Sequence, residues 1–399
     1  MSPSTRTSNE YAFPLAHNDY APAPVPSLPE WQHLWELWVT DGEPTEPAYY
    51  HGIFERGIDP DIDDPSKCHS HSELPDVSPP LEDILVYRER VKMRIRTLYE
   101  TGEAYRRRCA GRALRVGFEH EALHVETCLF MTIQSPNIQP PAGFARPDFA
   151  MLAEGTTRDR VANKWFRISQ QPLTIGFHDP ETDEAPSRFF ACYNECEPYD
   201  MQVHSFEAQG RPISNSKCLC GDTCNGFIFS HTVKTVWGLV PLSQTLDWLA
   251  MASFNAVQVY AGWAGARLPS LHKLRSIHEH AEQRGKRHLD SKVNKSYHAD
   301  PRAVFVDLTG TNSGLQNFHP IPITHTKAVC GLGNTGGAAE WTGDLFEPQP
   351  GFTPMDICSR YSGKSFALHP RLAGRKSFLN WLQRAFAWPW VTFRLERDI

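Results

Sequence analysis

The chain has 399 residues, 40% of them hydrophobic and 22% charged, which is the composition of an ordinary folded globular protein. Lys and Arg number 40 and Asp and Glu number 46, so the net charge is −6. This charge argues against a non-specific nucleic-acid binder, since such a protein needs a basic face. No window approaches about 18 consecutive apolar residues, so the sequence predicts no transmembrane helix. The polar segment from Met1 to Glu10 carries no secretory signal, and we expect a cytoplasmic protein with mostly reduced cysteines.

The N-terminal third of the chain predicts a lead and then helices. Residues 1–27 are rich in Pro and Ser without a periodic pattern, which predicts a disordered lead. Apolar residues at helical spacing predict helices over about 29–40, from Ser78 to about Gly102, and over about 112–134. Ser78 and the two prolines after it form a typical helix start. We interpret residues 28–140 as a partial helical bundle.

Beyond Pro140 the pattern changes to short apolar runs separated by turn-rich stretches. Two helices are predicted there, over about 241–262 and 271–284. The predicted strands lie at Leu173–Gly176, Gln202–Glu207, Val304–Leu308 and Val391–Leu395. Residues 155–399 therefore predict an α+β domain rich in loops.

The third predicted helix carries the sharpest chemical pattern, Glu119-His120-Glu121-Ala-Leu-His124-Val-Glu126. His120 and His124 are spaced i, i+4, so both positions lie on one helix face. Neutral imidazole is a ligand for iron, zinc and copper, and a third ligand has to come from elsewhere in the fold. The alternative is a pair of histidines on a polar face. An apolar-periodic helix argues against that alternative, because an unpaired buried polar group is costly.

Three patterns in the second half are informative about structure. Ala266-Arg-Leu-Pro-Ser270 opens a helix, Gly333-Asn-Thr-Gly-Gly-Ala-Ala-Glu-Trp-Thr342 forms a Gly-rich turn, and Phe393-Arg-Leu395 closes the chain. The Gly-rich turn lacks the Lys-Ser/Thr of a phosphate-binding loop. It predicts a turn held by buried Glu340 and Trp341. Cys218, Cys220 and Cys224 lack the second pair that a zinc site needs, which favours surface thiols.

These motifs resemble two known families. The Arg-Leu-Pro-Ser helix start, the Gly-Gly-x-x-Glu-Trp-Thr turn and the Phe-Arg-Leu end resemble the formylglycine-generating-enzyme (sulfatase-modifying-factor) domain, whose fold is C-type-lectin-like. The H-x3-H-x-E helix resembles the DinB-like bundle. Together they resemble the iron(II) sulfoxide synthases of ergothioneine and ovothiol biosynthesis. Some stretches are similar to the C-terminal half of the fungal ergothioneine-biosynthesis proteins: Gly42–His51, Ile53–Asp61, Val306–Asn312, Gln316–Pro320 and Pro370–Trp381.

The resemblance, which covers roughly 28–399, implies an activity and a site. It implies that Fe(II) is bound by three histidines, two of them His120 and His124. Cysteine sulfur would be joined to C2 of the imidazole of Nα-trimethylhistidine with O2 as oxidant. Asn380 and Trp381 match the residues that cradle the trimethylammonium group, for which cation–π attraction is a physical reason. We expect iron and substrate to lie between the two domains, with small-molecule substrates and neither nucleic acid nor membrane as partner.

Two further residues are candidates for the site, Arg88 from its position on the second predicted helix and Tyr361 from the resemblance. Arg88 is a candidate for the carboxylate of the thiol substrate, although a solvated helix face is the alternative. Tyr361 stands in a shortened loop where the family has its active-site tyrosine. The family's third iron histidine has no counterpart, because Pro26-Ser27 occupies its place.

Alternative functions therefore stay open. One is a truncated, non-catalytic paralogue of the same family. Another is a zinc or iron metalloenzyme, since His120-Glu121-Ala-Leu-His124 satisfies H-E-x-x-H with Glu121 as base. A formylglycine generator would need reactive cysteines near its groove, and nothing places Cys330 or Cys358 there.

Overall fold

A computed structural model describes a subset of the residues, as follows: 50, 79–140, 142–178, 195, 197–218, 228, 230–292, 312, 316–324, 328–329, 332–333, 337–353, 370–373, 379–382 and 384–399. The predicted lead, the predicted helix over 29–40, the predicted strand from Val304 and the position of Tyr361 lie outside these residues. Those predictions therefore stay predictions.

Helices dominate the first half of the described chain. Their bounds are α1 Leu81–Glu100, α2 Glu103–Arg106, α3 Arg108–Thr132 and α4 Phe149–Arg158. The second and third predicted helices are confirmed as α1 and α3. Gly102 follows α1 with φ +77°, a conformation that glycine adopts at little cost at the end of a helix. Helix α4 is not among the predicted helices. It starts after Asp148, whose side chain accepts a hydrogen bond from the Met151 backbone N–H at 3.0 Å.

The helical part has two close contacts, one on α1 and one between α2 and α3. Tyr87 and Val91 on α1 are buried with Tyr50, and the rings of Tyr50 and Tyr87 lie 4.5 Å apart. Between α2 and α3, a Cβ at Gly111 would lie 3.0 Å from the Ala104 carbonyl oxygen. The short helix α2 therefore lies directly against the first turn of α3. The DinB-like arrangement of this region stays a prediction.

The second half of the chain is mixed. Its strands are β1 Trp165–Ile168, β2 Gln171–Ile175, β3 Tyr199–Val203, β4 Phe206–Gln209, β5 Thr232–Thr235, β6 Gly238–Pro241, β7 Ala328–Val329, β8 Leu332–Gly333, β9 Ala339–Leu345, β10 Pro370–Ala373, β11 Leu379–Trp381, β12 Val391–Thr392 and β13 Glu396–Arg397. Its helices are α5 Asn215–Cys218, the 3₁₀ turn Leu242–Gln244, α6 Phe254–Trp263 and α7 Leu271–Lys292.

The described strands form small sheets. One has the order β1-β4-β13 and another the order β11-β10-β9-β12, while β2-β3, β5-β6 and β7-β8 form two-stranded sheets. In the larger sheet β12 runs parallel to β9, whereas β10 is antiparallel to both β9 and β11. The predicted run from Gln202 to Glu207 is divided between β3 and β4, because His204 and Ser205 form the connection between them.

Two apolar clusters form the core of this part. One gathers the β9 residue Trp341 with Val391, Phe393 and the α6 residues Phe254 and Val257. The other lies around α7 and is formed by Ile168, Val203, Phe206, Ala208, Leu271, Leu274, Ile277 and Phe346. Helices α6 and α7 therefore cover different sheets of the same α+β unit.

The predicted helix over 241–262 is wrong in its first half. Strand β6 extends to Pro241, and α6 begins only at Phe254. The backbone between them pairs with residues 213–216: Ala250 N–H donates to the Ile213 carbonyl at 2.8 Å and Asn215 N–H to the Trp248 carbonyl at 2.9 Å. These tertiary hydrogen bonds override a pattern that suits a helix.

The start of α7 is confirmed and has three polar supports. Ser270 Oγ accepts from the Lys273 backbone N–H at 3.2 Å, and an Asp344 side-chain oxygen accepts from Leu271 N–H. Pro269 carbonyl accepts from Gly343 N–H at 2.9 Å. The Arg-Leu-Pro-Ser motif is thus a helix cap joined to the end of β9.

The mixture of helices and small sheets confirms the α+β class. The prediction of a partial bundle followed by a C-type-lectin-like domain goes further and stays a prediction. Within the described residues, no helix has the length and hydropathy needed to span a membrane.

Candidate functional site

Helix α3 carries both positions of the H-x3-H pattern. Ala113 and Gly117 on this helix are buried. Positions 120 and 124 follow them by seven residues, about two helical turns. The backbone of His120 and His124 therefore lies on the helix face that is buried in the preceding turns, which is where a metal site would be shielded from solvent. The side chains of both histidines lie outside the described part of the structure, so their role as ligands stays a prediction.

The opposite face of α3 is open to solvent. Phe118 is 42% exposed and packs under the Arg115 guanidinium at 5.4 Å from the ring centroid. Glu126 is exposed as well.

The C-terminal end of α3 docks on the second half of the chain. Leu129 is 3% exposed and belongs to one apolar cluster with Val236, Phe318 and Trp390. Just beyond the helix, Lys234 Nζ donates to the Gln134 carbonyl oxygen at 2.8 Å, a favourable contact for a cation near a helix C-terminus. The histidine-bearing helix is thus fixed against the α+β unit about one to two turns after His124.

The turn of the β5–β6 hairpin forms this docking surface. Thr235 Oγ1 donates to the Gly238 carbonyl at 2.8 Å and accepts from Trp237 N–H at 3.2 Å, while Gly238 has φ +93°. On the outer side, Arg146 donates to the Trp237 carbonyl at 3.3 Å. These contacts hold the turn, and with it Val236, against α3.

Trp390 belongs to the docking cluster, the apolar cluster of Leu129, Val236, Phe318 and Trp390. Its backbone has a left-handed conformation. It is 3% exposed and has φ +61°, and it is the non-glycine residue with positive φ among those described. Its backbone N–H donates to Met251 Sδ at 3.2 Å, and its carbonyl accepts from Ala339 N–H at 2.9 Å. A left-handed conformation costs such a residue about 1–3 kcal/mol, so surrounding contacts have to hold it there.

The sheet connects Trp390 to the predicted substrate residues. Ala339, the first residue of β9, donates its N–H to the Trp390 carbonyl, β10 lies beside β9, and β11 lies beside β10. Asn380 pairs with Leu372, which pairs with Trp341, and Trp381 pairs with Arg371. Neighbouring strands are about 4.8 Å apart, so β11 lies two strand spacings from β9. The side chains of Asn380 and Trp381 lie outside the described part, and whether they meet His120 and His124 stays a prediction.

The remaining predicted residues are placed as follows. Arg88 is half-buried on α1, next to buried Tyr87. Nothing in the described contacts assigns it to a substrate, and its binding role stays a prediction.

Near the end of α1, burial and the neighbouring Tyr105 raise the pKa of Tyr99, while Arg115 of α3 lowers it. This contact brings the last turn of α1 beside α3.

His319 of the Gln316–Pro320 motif has a structural role that its sequence pattern does not predict. His319 is 5% exposed, stacks on Trp248 with ring centroids 5.3 Å apart, and meets Phe149 edge-on at 5.4 Å. Its Nδ1 lies 2.8 Å from the Pro320 carbonyl oxygen, so the ring donates there. The side chain of Asn312 donates to the His319 carbonyl at 3.2 Å. This histidine therefore packs in an aromatic box.

Metal-binding groups outside α3 are sparse in the described part. Cys218 is exposed on α5, whereas Cys220 and Cys224 lie outside the described residues. Among the side chains that are described, no group of three or more His, Cys, Asp or Glu is placed to hold a metal ion. Since the side chains of His120 and His124 are not among them, the predicted iron site stays open.

The residues that α3 docks on could not be identified from the sequence pattern. Nothing in Trp388-Pro-Trp390 signals a left-handed tryptophan, because non-glycine residues rarely adopt that conformation. The turn at Val236 and Trp237 has one local signal, the Gly238 that follows a pair of apolar residues.

Comparison with known proteins gives two similar sequences. Ergothioneine biosynthesis protein 1 of Neurospora crassa is 33% identical over 520 aligned positions, which cover 97% of this chain and 59% of that protein. Ergothioneine biosynthesis protein 1 of Schizosaccharomyces pombe is 27% identical over 398 positions, covering 86% of this chain and 47% of that protein. The chain thus spans about half the length of the curated relatives it matches.

Two other comparisons add little. No protein-family model matches the chain. The structure of PvdO from Pseudomonas aeruginosa covers 59% of this chain and 94% of its own, with 12% identity and a TM-score of 0.34. A likeness of this size carries no argument about fold or function.

Proposed function

Because the chain belongs to the family of the ergothioneine biosynthesis proteins, we propose that it acts in ergothioneine biosynthesis as an iron(II)- and O2-dependent sulfoxide synthase. The observation that carries the proposal is 33% identity across 97% of the chain to a protein of that name. The helical backbone at the H-x3-H pattern of α3 supports it, because it sets two imidazole-bearing positions one turn apart.

The proposed reaction joins cysteine to Nα-trimethylhistidine. The imidazole C2–H and the thiol S–H are broken, a C–S bond forms, and the sulfur gains one oxygen atom. The other oxygen atom of O2 leaves as water together with the two hydrogens. The two substrates lose four electrons in total, which O2 accepts, so that no further reductant or oxidant is needed.

Two histidines of the proposed three-histidine iron(II) site are present on α3. Imidazole nitrogen is a common ligand of non-haem iron, and His120 and His124 occupy the helix face that is buried at Ala113 and Gly117. When bound, Fe(II) would supply the redox chemistry that couples reduction of O2 to oxidation of the two substrates. A third ligand is needed. The histidines N-terminal to α3 are His17, His33, His51, His69 and His71, and their spacing in the sequence matches none of them to the family's third ligand.

The chain's other residues would bind and orient the substrates. Asn380 and Trp381 are the proposed contacts of the trimethylammonium group, for which an indole face is a favourable surface. Arg88 is the proposed contact for the carboxylate of cysteine, and Tyr361 is the proposed catalytic hydroxyl. Docking of α3 through Leu129 supports this assignment, since it keeps the histidine-bearing helix at a constant distance from the sheet that contains β11.

The proposal is tested by turnover of the purified full chain. The protein is loaded anaerobically with Fe(II), mixed with trimethylhistidine and cysteine, and exposed to O2, and the sulfoxide is sought by mass spectrometry. We expect product from the unsubstituted chain and none from His124→Ala. A matched variant is His204→Ala, which removes an exposed histidine between β3 and β4 and should retain turnover.

Two results would contradict the proposal. If folded, iron-loaded protein gives no sulfoxide, the chain is a non-catalytic paralogue. If metal analysis finds that zinc is retained and iron is not, the H-E-x-x-H alternative with Glu121 as base is favoured.

A further inference from the structure

Arg211 is a buried arginine that lies outside α3 and has an unsatisfied side-chain donor. This residue follows the end of β4 and is 5% exposed. Its backbone N–H donates to Asn163 Oδ1 at 3.2 Å, yet its side-chain Nε is buried and makes no hydrogen bond. Burying a charged group without a partner is expensive. Such a group in a folded protein is a candidate contact for a water, an ion or a ligand.

Two charged neighbours of Arg211 leave the group with an excess of positive charge. Asp247 is 8% exposed, and its Oδ2 accepts from Arg160 Nε at 3.1 Å and Nη2 at 2.7 Å. Its second oxygen, Oδ1, is buried and has no hydrogen-bond partner. The two guanidinium groups and one carboxylate therefore sum to a single positive charge. Burial lowers the pKa of Arg211, Asp247 raises it, and Arg160 lowers it further.

The surrounding backbone holds these three residues in fixed positions. Arg160 forms an isolated antiparallel bridge with Thr324. Gly210 N–H donates to the Lys164 carbonyl at 2.9 Å, immediately before Arg211. Trp248, the residue after Asp247, is 5% exposed and stacks on His319. Donors held in this way lose little freedom when a ligand binds, which favours affinity.

We propose that Arg211, Arg160 and Asp247 form a binding site for the carboxylate group of a small monoanionic molecule. A guanidinium presents two parallel N–H donors that match the two oxygens of a carboxylate. The net charge of the three groups neutralises one negative charge, and Asp247 disfavours a dianion such as phosphate. The Arg160 side chain is 44% exposed, so it forms the solvent side of the site and the entry for the ligand. The inference does not depend on the iron assignment.

Acetate is a suitable probe, used with the full chain. We expect sodium acetate to raise the melting temperature saturably, beyond the effect of sodium chloride at the same ionic strength. Sodium phosphate at pH 8 should give a smaller effect. Arg211→Lys keeps the charge but loses the paired donors, and it should weaken acetate binding about tenfold. Asp247→Asn removes the competing internal anion and should tighten acetate binding severalfold.

The matched control is Arg167→Lys, which changes an exposed arginine on β1 and should leave the acetate response unchanged. If Arg211→Lys does not fold, the arginine Nε–H signals of the unsubstituted chain in an NMR spectrum report on the site directly. Acetate should then move one such signal saturably. The proposal is overturned if acetate acts like chloride, if no arginine signal moves, or if Asp247→Asn leaves acetate binding unchanged.

Discussion

Arg394 and Glu340 form a bidentate ion pair in the interior of the α+β unit. Arg394 Nε donates to Glu340 Oε2 at 2.6 Å and Nη2 to Oε1 at 2.7 Å, and their side chains are 1% and 0% exposed. The two residues come from the Phe-Arg-Leu and Gly-Gly-x-x-Glu-Trp-Thr motifs, which are 54 positions apart. The pair connects β9 with the chain that follows β12, and both motifs therefore serve the fold.

Removing one partner of this pair should be severely destabilising. Arg394→Met leaves the Glu340 carboxylate buried without a counter-charge, which costs about 3–5 kcal/mol of unfolding free energy. Urea unfolding of the purified variant measures this loss. The double variant Arg394→Met/Glu340→Leu should be more stable than Arg394→Met alone, because no charge is left unpaired.

A surface ion pair supplies the comparison. Arg397 and Glu207 contact each other at 2.7 Å with side chains 46% and 30% exposed. Substituting Glu207→Gln should cost less than about 1 kcal/mol. Equal losses for the buried and the surface pair would show that burial is not what makes the Glu340 contact important.

Gly337 should not tolerate a side chain. It has φ +88°, and an added Cβ would lie 2.6 Å from Asn312 Cβ. Gly337→Ala therefore combines a left-handed penalty of about 1–2 kcal/mol with a steric overlap. Gly143 is a matched position, with φ +82° and nothing within 4 Å of the added Cβ. Thermal unfolding should show a larger loss for Gly337→Ala, and equal losses would remove the steric part of the explanation.

The docking cluster of α3 should contribute strongly to stability. Leu129→Ala deletes a side chain that is 3% exposed among Val236, Phe318 and Trp390, and it should cost about 2–5 kcal/mol. Leu152→Ala on α4 removes a leucine that is 47% exposed and should change the stability by less than about 0.5 kcal/mol. Denaturant unfolding of both variants measures the contrast, which should vanish if α3 does not dock in solution.

The side-chain carboxylate of Asp398, next to the last residue Ile399, should make stability depend on pH in one direction. A side-chain hydrogen bond from Arg267 lowers the pKa of Asp398, burial opposes this, and the charges of Arg267 and Lys273 lower it further. A depressed carboxyl pKa gives stability that is present above the unfolded-state value of about 3.9 and is lost as the pH falls through the folded-state value.

Asp398→Asn should therefore lower the melting temperature at pH 7, and the difference from the unsubstituted chain should shrink only below about pH 4. Asp159→Asn, which changes an exposed carboxylate after α4, is the comparison. A difference for Asp398→Asn that stays constant down to pH 3 would contradict the assigned cause.

Recognition of the trimethylammonium group gives a prediction that rests on the proposed function. Trp381→Leu removes a cation–π contact of about 0.5–2 kcal/mol and should raise KM for trimethylhistidine more than it lowers kcat. Trp381→Phe should restore part of the loss. Trp263→Leu changes a tryptophan on α6 that is 68% exposed and should leave KM unchanged. If the Trp263 and Trp381 variants behave alike, Trp381 does not contact the substrate.

Local sequence signals are sufficient to predict the helices that have their own cap residue or apolar periodicity. Helices α1 and α3 follow from apolar spacing, and α7 follows from Ser270, which accepts a hydrogen bond from the first turn. The predicted burial of Glu340 and Trp341 is confirmed, although the contact that holds Trp341 is distant in the chain: its Nε1 donates to the Ala252 carbonyl at 3.0 Å. For the three helices the signal and its physical cause lie within a few residues of each other.

Elements decided by distant contacts could not be predicted in this way. The stretch before α6 has helical spacing but pairs with Ile213 and Asn215, and no local pattern announces that partner. The conformation of Trp390 depends on Met251 and Ala339, which are far away in the chain. The same holds for Arg211, because its lack of a side-chain partner exists only in the folded protein.

The shared cluster at Leu129 has a practical consequence for anyone who divides this chain. A cut near Pro140 would give two fragments, one with Leu129 uncovered and the other with Val236 and Trp390 uncovered. Each fragment would expose an apolar surface to other molecules and would aggregate during expression. Recombinant production of either half therefore requires co-expression of both fragments, or polar substitutions at the exposed positions Leu129, Val236 and Trp390.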